Sequence, residues 1–192
     1  LEPWGCVMAA YTQRRRLTPK AGGVMWMVGQ PGDETVYTCS LALSPSKIVL
    51  SNVPASMRKI AEASGAEIIE RDGLTQVDFD ALKQDFTNGL GFDDIVVLNP
   101  GSADVVGKIA RLIARRGTCN LVGAKALDGL VEVDLGRLHY DYIAFVGTSG
   151  TDIAAAYGEA RNRCELRPGG TTVFVGAGGP MGQMHVIRNV CL

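Results

Sequence analysis

Short apolar runs alternate with helix-patterned stretches along almost the whole chain. Gly23 to Val28 is a first apolar run closed by Gly29, and Lys47 to Leu50 is a second that ends at Ser51-Asn52. Pro54 opens a helical stretch that Gly65 stops, since Pro suits a first helical position and Gly the position past the last. Ala66 to Ile69 is a third strand, and Asp78 caps a helix that runs through Phe86 and ends at Gly89. Asp94 to Leu98 is the fourth strand, apolar as a parallel strand buried on both faces should be. Ser102 then caps a helix in which Val105, Val106, Ile109, Leu112 and Ile113 share one face, with Gly117 as terminator. Thr118 to Val122 and Tyr142 to Val146 are the fifth and sixth strands, and a last helix is expected from about Asp152 to Arg163.

Strands alternating with helices predict a mostly parallel sheet with helices on both faces, a three-layer αβα arrangement. Six such strands suit a doubly wound, Rossmann-like fold, with a flavodoxin-like sheet as the nearest competitor. Late in the chain the pattern starts again. Ala9-Ala10-Tyr11, Leu17, Pro19 and Gly22-Gly23 through Gly29 are echoed by Ala155-Ala156-Tyr157, Leu166, Pro168 and Gly169-Gly170 through Gly176. The two copies lie about one dinucleotide domain apart, which reads as an internal duplication. Residues 1–165 are expected to form one Rossmann-like domain with a degenerate glycine loop, and residues 166–192 the first strand, glycine loop and helix of a second repeat.

Two loops follow the first strand of each copy. The late one, Gly176-Ala177-Gly178-Gly179-Pro180-Met181-Gly182, stands between an apolar strand expected at Thr171 to Val175 and an apolar helix. A first glycine permits the tight turn, a middle one (Gly178 or Gly179) lets the backbone approach a pyrophosphate, and Gly182 lets helix and strand pack closely. The N–H groups of the helix start then face the phosphates. The Thr171 to Val175 strand is expected to pair, on its own sheet edge or with another copy. The early loop, Gly29-Gln30-Pro31-Gly32-Asp33-Glu34, has the right location, but Pro31 offers no N–H and Glu34 takes the place of the last glycine. Asp33 and Glu34 are expected to start the following helix and complement its dipole while repelling a diphosphate. Asn52 ends the second strand where a ribose-binding site wants Asp or Glu. Gly29, Gly32, Asn52 and Asn99 are therefore candidate cofactor contacts of a weak first site, and Gly176, Gly178, Gly179 and Gly182 those of the second. Ser102 and Thr151 end strands too, but helix capping accounts for them equally well.

Composition narrows the field. Net charge is −1, which leaves no broad basic field for nucleic acid. The one basic cluster, Arg14-Arg15-Arg16 with Lys20, reads as a solvated helix end. The five cysteines show no C-x-x-C spacing and read as reduced, buried thiols of a cytoplasmic protein. His139 and His185 have no metal-ligand partners at useful spacing, and Gly147-Thr148-Ser149-Gly150-Thr151 is not a nucleophile elbow. No catalytic residue and no metal ligand is assigned, and no signal peptide or membrane span is read. The chain opens at Leu1 and closes at Val190-Cys191-Leu192 inside a helical pattern, and so is expected to be an excised piece.

Several stretches together resemble the medium-chain dehydrogenase/reductase superfamily of zinc-type alcohol and polyol dehydrogenases. Glu2-Pro3-Trp4-Gly5-Cys6-Val7 is similar to the helix that leads into that family's cofactor domain. Met57 through Glu67 is similar to its second helix and third strand, Gly91 through Leu98 to the strand below the nicotinamide, and Arg116 through Gly123 to its fifth strand. With the Gly176–His185 stretch in tandem, the chain looks most like L-sorbose-1-phosphate reductase-type proteins. The resemblance implies NAD or NADP as cofactor and a small-molecule alcohol, polyol or ketose phosphate as substrate. It also implies a homo-oligomer, and zinc held by Cys, His and Glu of an N-terminal domain that this chain does not include. The chain alone is then expected to be inactive. The contrasting reading is a non-catalytic structural or dimerisation module that kept the fold and lost the cofactor; a methyltransferase-like nucleotide domain is a third.

Overall fold

A computed structural model of the chain describes residues 2–12, 16–74, 78–158 and 169–191. The chain divides into two compact units, residues 16–161 and residues 1–15 with 162–192. The larger unit holds one six-stranded sheet: β1 (Val24–Val28), β2 (Lys47–Ser51), β3 (Glu67–Glu70), β4 (Phe92–Leu98), β5 (Ile113–Val122) and β6 (Ala144–Thr148). The strands lie in the order β3-β2-β1-β4-β5-β6 and every pair is parallel. Strand order reverses between β1 and β4, so the crevice beyond the carboxyl ends of these two is the topological switch point.

Side chains alternate across the sheet, and each face has its own cover. Trp26, Val49, Ile95 and Val97 face the layer of α3 (Phe79–Thr87) and α4 (Ala103–Ala110), with Phe79, Leu82 and Ile109 packed on them. The Trp26 indole stacks edge-on to Phe79, 5.4 Å between ring centres, and donates to the Ser51 hydroxyl at 3.0 Å. Met25, Met27, Ile48, Leu50, Val96 and Leu98 face the opposite layer, where Met57 and Ala61 of α2 (Ala55–Ala63) cover them. Among the described residues the rest of that second layer holds no further α-helix. Tyr37 and Leu43 from the β1–β2 connection and Ile153 from a single 3-10 turn (Ile153–Ala156) complete it.

Several expectations are corrected by the structure. The helix from Ser102 ends at Ala110, because Leu112 turns inward and Ile113 already pairs with Phe92 at the start of β5. Between Ile113 and Thr118 the strand is irregular, with Arg116 at φ 61°, and this lengthening absorbs the residues read as helix. Of the helix expected at 152–163, the described residues form a 3-10 turn at Ile153–Ala156, after which Tyr157 is extended and Gly158 has φ 94°; residues 159–163 lie outside the described ones. Residues 171–175 form no strand, and Val173 and Val175 are 81% and 97% exposed. A short helix missed by pattern, α5 (Leu135–Tyr140), is capped by Asp134, which accepts from the Arg137 amide. The sixth strand starts two residues late because Tyr142 takes up a positive φ of 54° in the turn before it.

Arg16 and Lys20 are not a solvated helix end. The Arg16 guanidinium holds the Asp94 carboxylate at 2.9 Å, the Lys20 amide donates to the same carboxylate at 2.8 Å, and the Lys20 ammonium pairs with Asp93 at 2.7 Å. Asp94 is buried, and burial raises its pKa despite Arg16. Arg14, Arg15, Leu166, Pro168, Cys164 and the 165/166 boundary lie outside the described residues. The described cysteines are free thiols, but only Cys119 is buried, its thiol pushed up to about 12 by desolvation; Cys6 and Cys191 are exposed and Cys39 is half-buried.

In the smaller unit, α1 (Glu2–Thr12) packs against α6 (Pro180–Val190). Tyr11 hydrogen-bonds His185 Nδ1 at 2.8 Å and accepts from Asn189 at 3.0 Å, with the Arg188 guanidinium 3.9 Å above its ring. Among the described residues no helix is long and apolar enough to cross a membrane.

Candidate functional site at the switch point

β1 delivers Gly29 to the crevice with its N–H on the Ser51 carbonyl at 2.9 Å. A Cβ on Gly29 would lie 2.5 Å from the Asn52 carbonyl oxygen, so the close approach of the two strand ends requires glycine here. Gly32 serves differently: it has φ 77° and open space around it, and supplies the backbone turn. Pro31 and Glu34 point to solvent.

No helix follows. Residues 29–46 are turns and irregular chain, which overturns the expectation that Asp33 and Glu34 start a helix and complement its dipole. The sequence explains this: Pro31 and Gly32 are followed by Thr35-Val36-Tyr37-Thr38, a β-branched and aromatic run with low helix propensity. The Asp33 carboxylate also competes for the backbone. It accepts from the Thr35 amide at 3.0 Å, the Tyr37 hydroxyl at 2.9 Å and the Asn99 side-chain amide at 3.3 Å. Asn99 also donates to the Thr35 hydroxyl at 3.1 Å. Burial on its own raises the Asp33 pKa, but these donors outweigh it and the net displacement is downward. Burial and the facing carboxylate push the Tyr37 hydroxyl upward.

The switch point is thus closed by the chain itself, with a carboxylate fixed between the ends of β1 and β4. Asn99 reaches it from a left-handed backbone, φ 41°, over Gly123, where any side chain would collide with the Asn99 amide. The connection is locked at its far end too. Thr38 and Asp152 form a bridge, and the Asp152 carboxylate accepts from the Ser40 hydroxyl at 2.7 Å and the Ser40 amide at 3.1 Å. Burial opposes ionisation of Asp152, yet the Ser40 and Ala154 bonds prevail and its pKa is lowered.

At the end of β2, Asn52 has φ 50° and its amide donates to the Asp72 carboxylate at 2.6 Å. The Asn52 side chain accepts from the Gly73 amide at 3.3 Å. The expectation of no carboxylate at this strand end is corrected: Asp72 arrives from the turn after β3, twenty residues on in sequence and adjacent in space. The Asp72-Gly73 turn pair was the available signal, and parallel pairing of β2 with β3 the missing step.

The second loop has the geometry its glycines imply. Gly176 has φ 78°, the Gly179 amide returns to its carbonyl at 3.2 Å, and α6 begins with Gly179 as N-cap and Pro180 in its first turn. A Cβ on Gly182 would strike the Gly176 carbonyl, so helix and loop touch backbone to backbone. Gly178 has open space around it, and its carbonyl accepts from the Gln183 side chain at 2.9 Å.

A dinucleotide pyrophosphate does not fit the first loop: the phosphate-facing helix terminus is absent, and Asp33 would oppose the negative charge. The second loop has a turn at Gly176 and a helix start at Pro180, but no strand precedes it. His139 is exposed and His185 serves the Tyr11 contact. Among the described residues no three His, Cys, Asp or Glu side chains gather as metal ligands.

No family model and no curated protein matches the sequence. Solved structures share the fold. Benzyl alcohol dehydrogenase from Acinetobacter calcoaceticus aligns at 18% identity with a TM-score of 0.50, over 79% of this chain and 42% of that one. An alcohol dehydrogenase from Thermotoga maritima aligns at 14% identity and TM-score 0.48, over 80% of this chain and 44% of that one. The 2R,3R-butanediol dehydrogenase from Bacillus subtilis aligns at 17% and 0.48, over 83% and 46%. The chain spans less than half the length of these proteins. Strand order and the first of these likenesses define the class: a Rossmann-like, doubly wound α/β fold.

Proposed function

We propose that this chain is the nucleotide-binding-type portion of an NAD(P)-dependent dehydrogenase/reductase acting on an alcohol, polyol or ketose phosphate, of the L-sorbose-1-phosphate reductase type. The observation that carries the reading is the all-parallel β3-β2-β1-β4-β5-β6 sheet. The parent enzyme would be a cytoplasmic homo-oligomer, with zinc held outside this chain to polarise the substrate oxygen. This chain's contribution is to position and to scaffold. The residues 16–161 unit presents a crevice closed by Asp33, and Gly176, Gly178, Gly179 and Gly182 form the loop suited to a diphosphate, with the first-turn amides of α6 as donors.

Calorimetric titration of the chain with NAD and NADP tests this. Weak binding, about millimolar, is expected, lost when Gly178 is made bulky and unchanged when Gly32 is. Binding lost at Gly32 and retained at Gly178 would put the working site in the first loop and overturn the assignment. No binding by the chain or by its parent enzyme would favour the scaffold-only alternative.

A further inference from the structure

A cavity lies away from the switch point, on the α3–α4–α5 side of the sheet near the amino ends of β5 and β6. Its volume is about 720 Å³, within the range of small-molecule sites. Its origin is a shortage of helix. α5 has six residues and buries none of them, so Ile143 and Phe145 of the β6 region are left as an apolar floor, with Phe145 only partly covered. Gly107 in α4 lets residues 131 and 132 cross close by, the Glu132 carbonyl lying 3.1 Å from where its Cβ would be, and this crossing forms one wall. Leu90, 77% exposed, stands in the lining.

The charge around this cavity is uneven in what it leaves unpaired. Four cations, Lys83, Arg111, Arg115 and Arg137, share the lining with Glu132, Asp134 and Asp141. Arg137 is satisfied by Asp141 at 2.8 Å and by backbone carbonyls. Asp134 is committed to the cap of α5. Glu132 stands a long 3.9 Å from Arg111, both well exposed. No ion pair holds Lys83 or Arg115 among the described residues. Asp134 and Asp141 are thus used internally, while Lys83 and Arg115 line the cavity with no ion pair among the described residues.

We infer that this cavity is a binding site for a small organic anion with an apolar body, its negative group held by Lys83 and Arg115 with Arg111 nearby and its body lying on Ile143 and Phe145. The site is separate from the dinucleotide crevice, and the inference does not depend on the dehydrogenase reading.

Anilinonaphthalene sulfonate is a suitable probe, since it joins a fixed anion to an apolar body. Titration of the full chain is expected to saturate at one site and to shift backbone amide resonances of residues 107–115 and 132–145. A Lys83→Glu/Arg115→Glu double variant should bind about tenfold more weakly. Leu90→Glu, at an exposed position that leaves the fold intact, should weaken binding in the same direction. The uncharged analogue phenylnaphthylamine should bind more weakly than the sulfonate and ignore the charge reversal. Inorganic sulfate alone should not compete at matched ionic strength. Equal affinity in the charge-reversed and Leu90→Glu variants, resonance shifts confined to residues 169–191, or a neutral analogue that binds as well as the sulfonate would each overturn the inference.

Discussion

The two glycine loops begin alike and end differently. After Gly29 the chain folds back on its own carboxylate, sends Tyr37 and Leu43 into the core and never becomes helical. After Gly176 it turns once and enters α6 with Gly182 pressed on the Gly176 carbonyl. The first loop anchors itself in the core through Tyr37 and Leu43, while the second remains a surface turn that leads into a helix. A glycine pattern therefore reports the turn, and the residues after it decide whether a phosphate site or a plug results. Pro31 and the Thr35–Thr38 run drive the first outcome, while Pro180 in a first helical turn favours the second.

Tyr37→Ala gives the sharpest break of this comparison. The ring is 2% exposed and substitutes for a covering helix, so its removal should cost about 3 kcal/mol or more in urea unfolding. Val173→Ala and Val175→Ala ahead of the second loop should stay within about 0.5 kcal/mol. A Tyr37 variant as stable as the parent would show that loop one is not core.

Gly29→Ala should follow with about 1–3 kcal/mol of global destabilisation, because a Cβ must displace the Asn52 backbone. Gly182→Ala should instead raise hydrogen exchange across α6 and leave the unfolding midpoint of the sheet unit alone. Equal global effects from both substitutions would erase the distinction between plug and surface turn.

The smallest effect is one of pH. Asp33 and Asp152 have lowered pKa values in the folded state, so their contribution is present above the unfolded value near 3.8 and is lost as pH falls through the folded one. Asp94 runs the other way: its raised pKa gives a contribution present below 3.8 and lost as pH rises through the folded value. Acidification below about pH 4 should therefore loosen residues 29–46 before the Arg16–Asp94 end. Amide exchange should report this order, and Asp33→Asn with Asp152→Asn should flatten it. Simultaneous loosening at both ends would contradict it.

Much of the sheet was legible because parallel strands buried on both faces are nearly continuous apolar runs, as in Asp94–Leu98 and Lys47–Leu50. Helix ends were less so. Leu112 and Ile113 continue the helical spacing of Val105 and Ile109, yet they are buried by a strand start, and periodicity alone cannot separate the two. Site chemistry was legible where one loop carries it, as at Gly29 and Gly176. It was hidden where partners meet through topology: Asp72 reaches Asn52 from the next strand, and Asp33 meets Asn99 across the switch point. In sequence Asp33 reads as a helix-starting charge because its partner Asn99 is brought to it only once β1 and β4 lie side by side.

The lock between Ser40 and Asp152 joins positions 112 residues apart in the chain. Contacts of such long separation come at a large loss of chain freedom and form slowly. On a ribosome, where a chain emerges amino end first, residues 29–46 leave the exit tunnel long before Asp152 is made. Until the turn after β6 exists, Thr38 and Ser40 lack their Asp152 partner. The segment that closes the crevice in the finished protein is thus fastened late while the protein is being built.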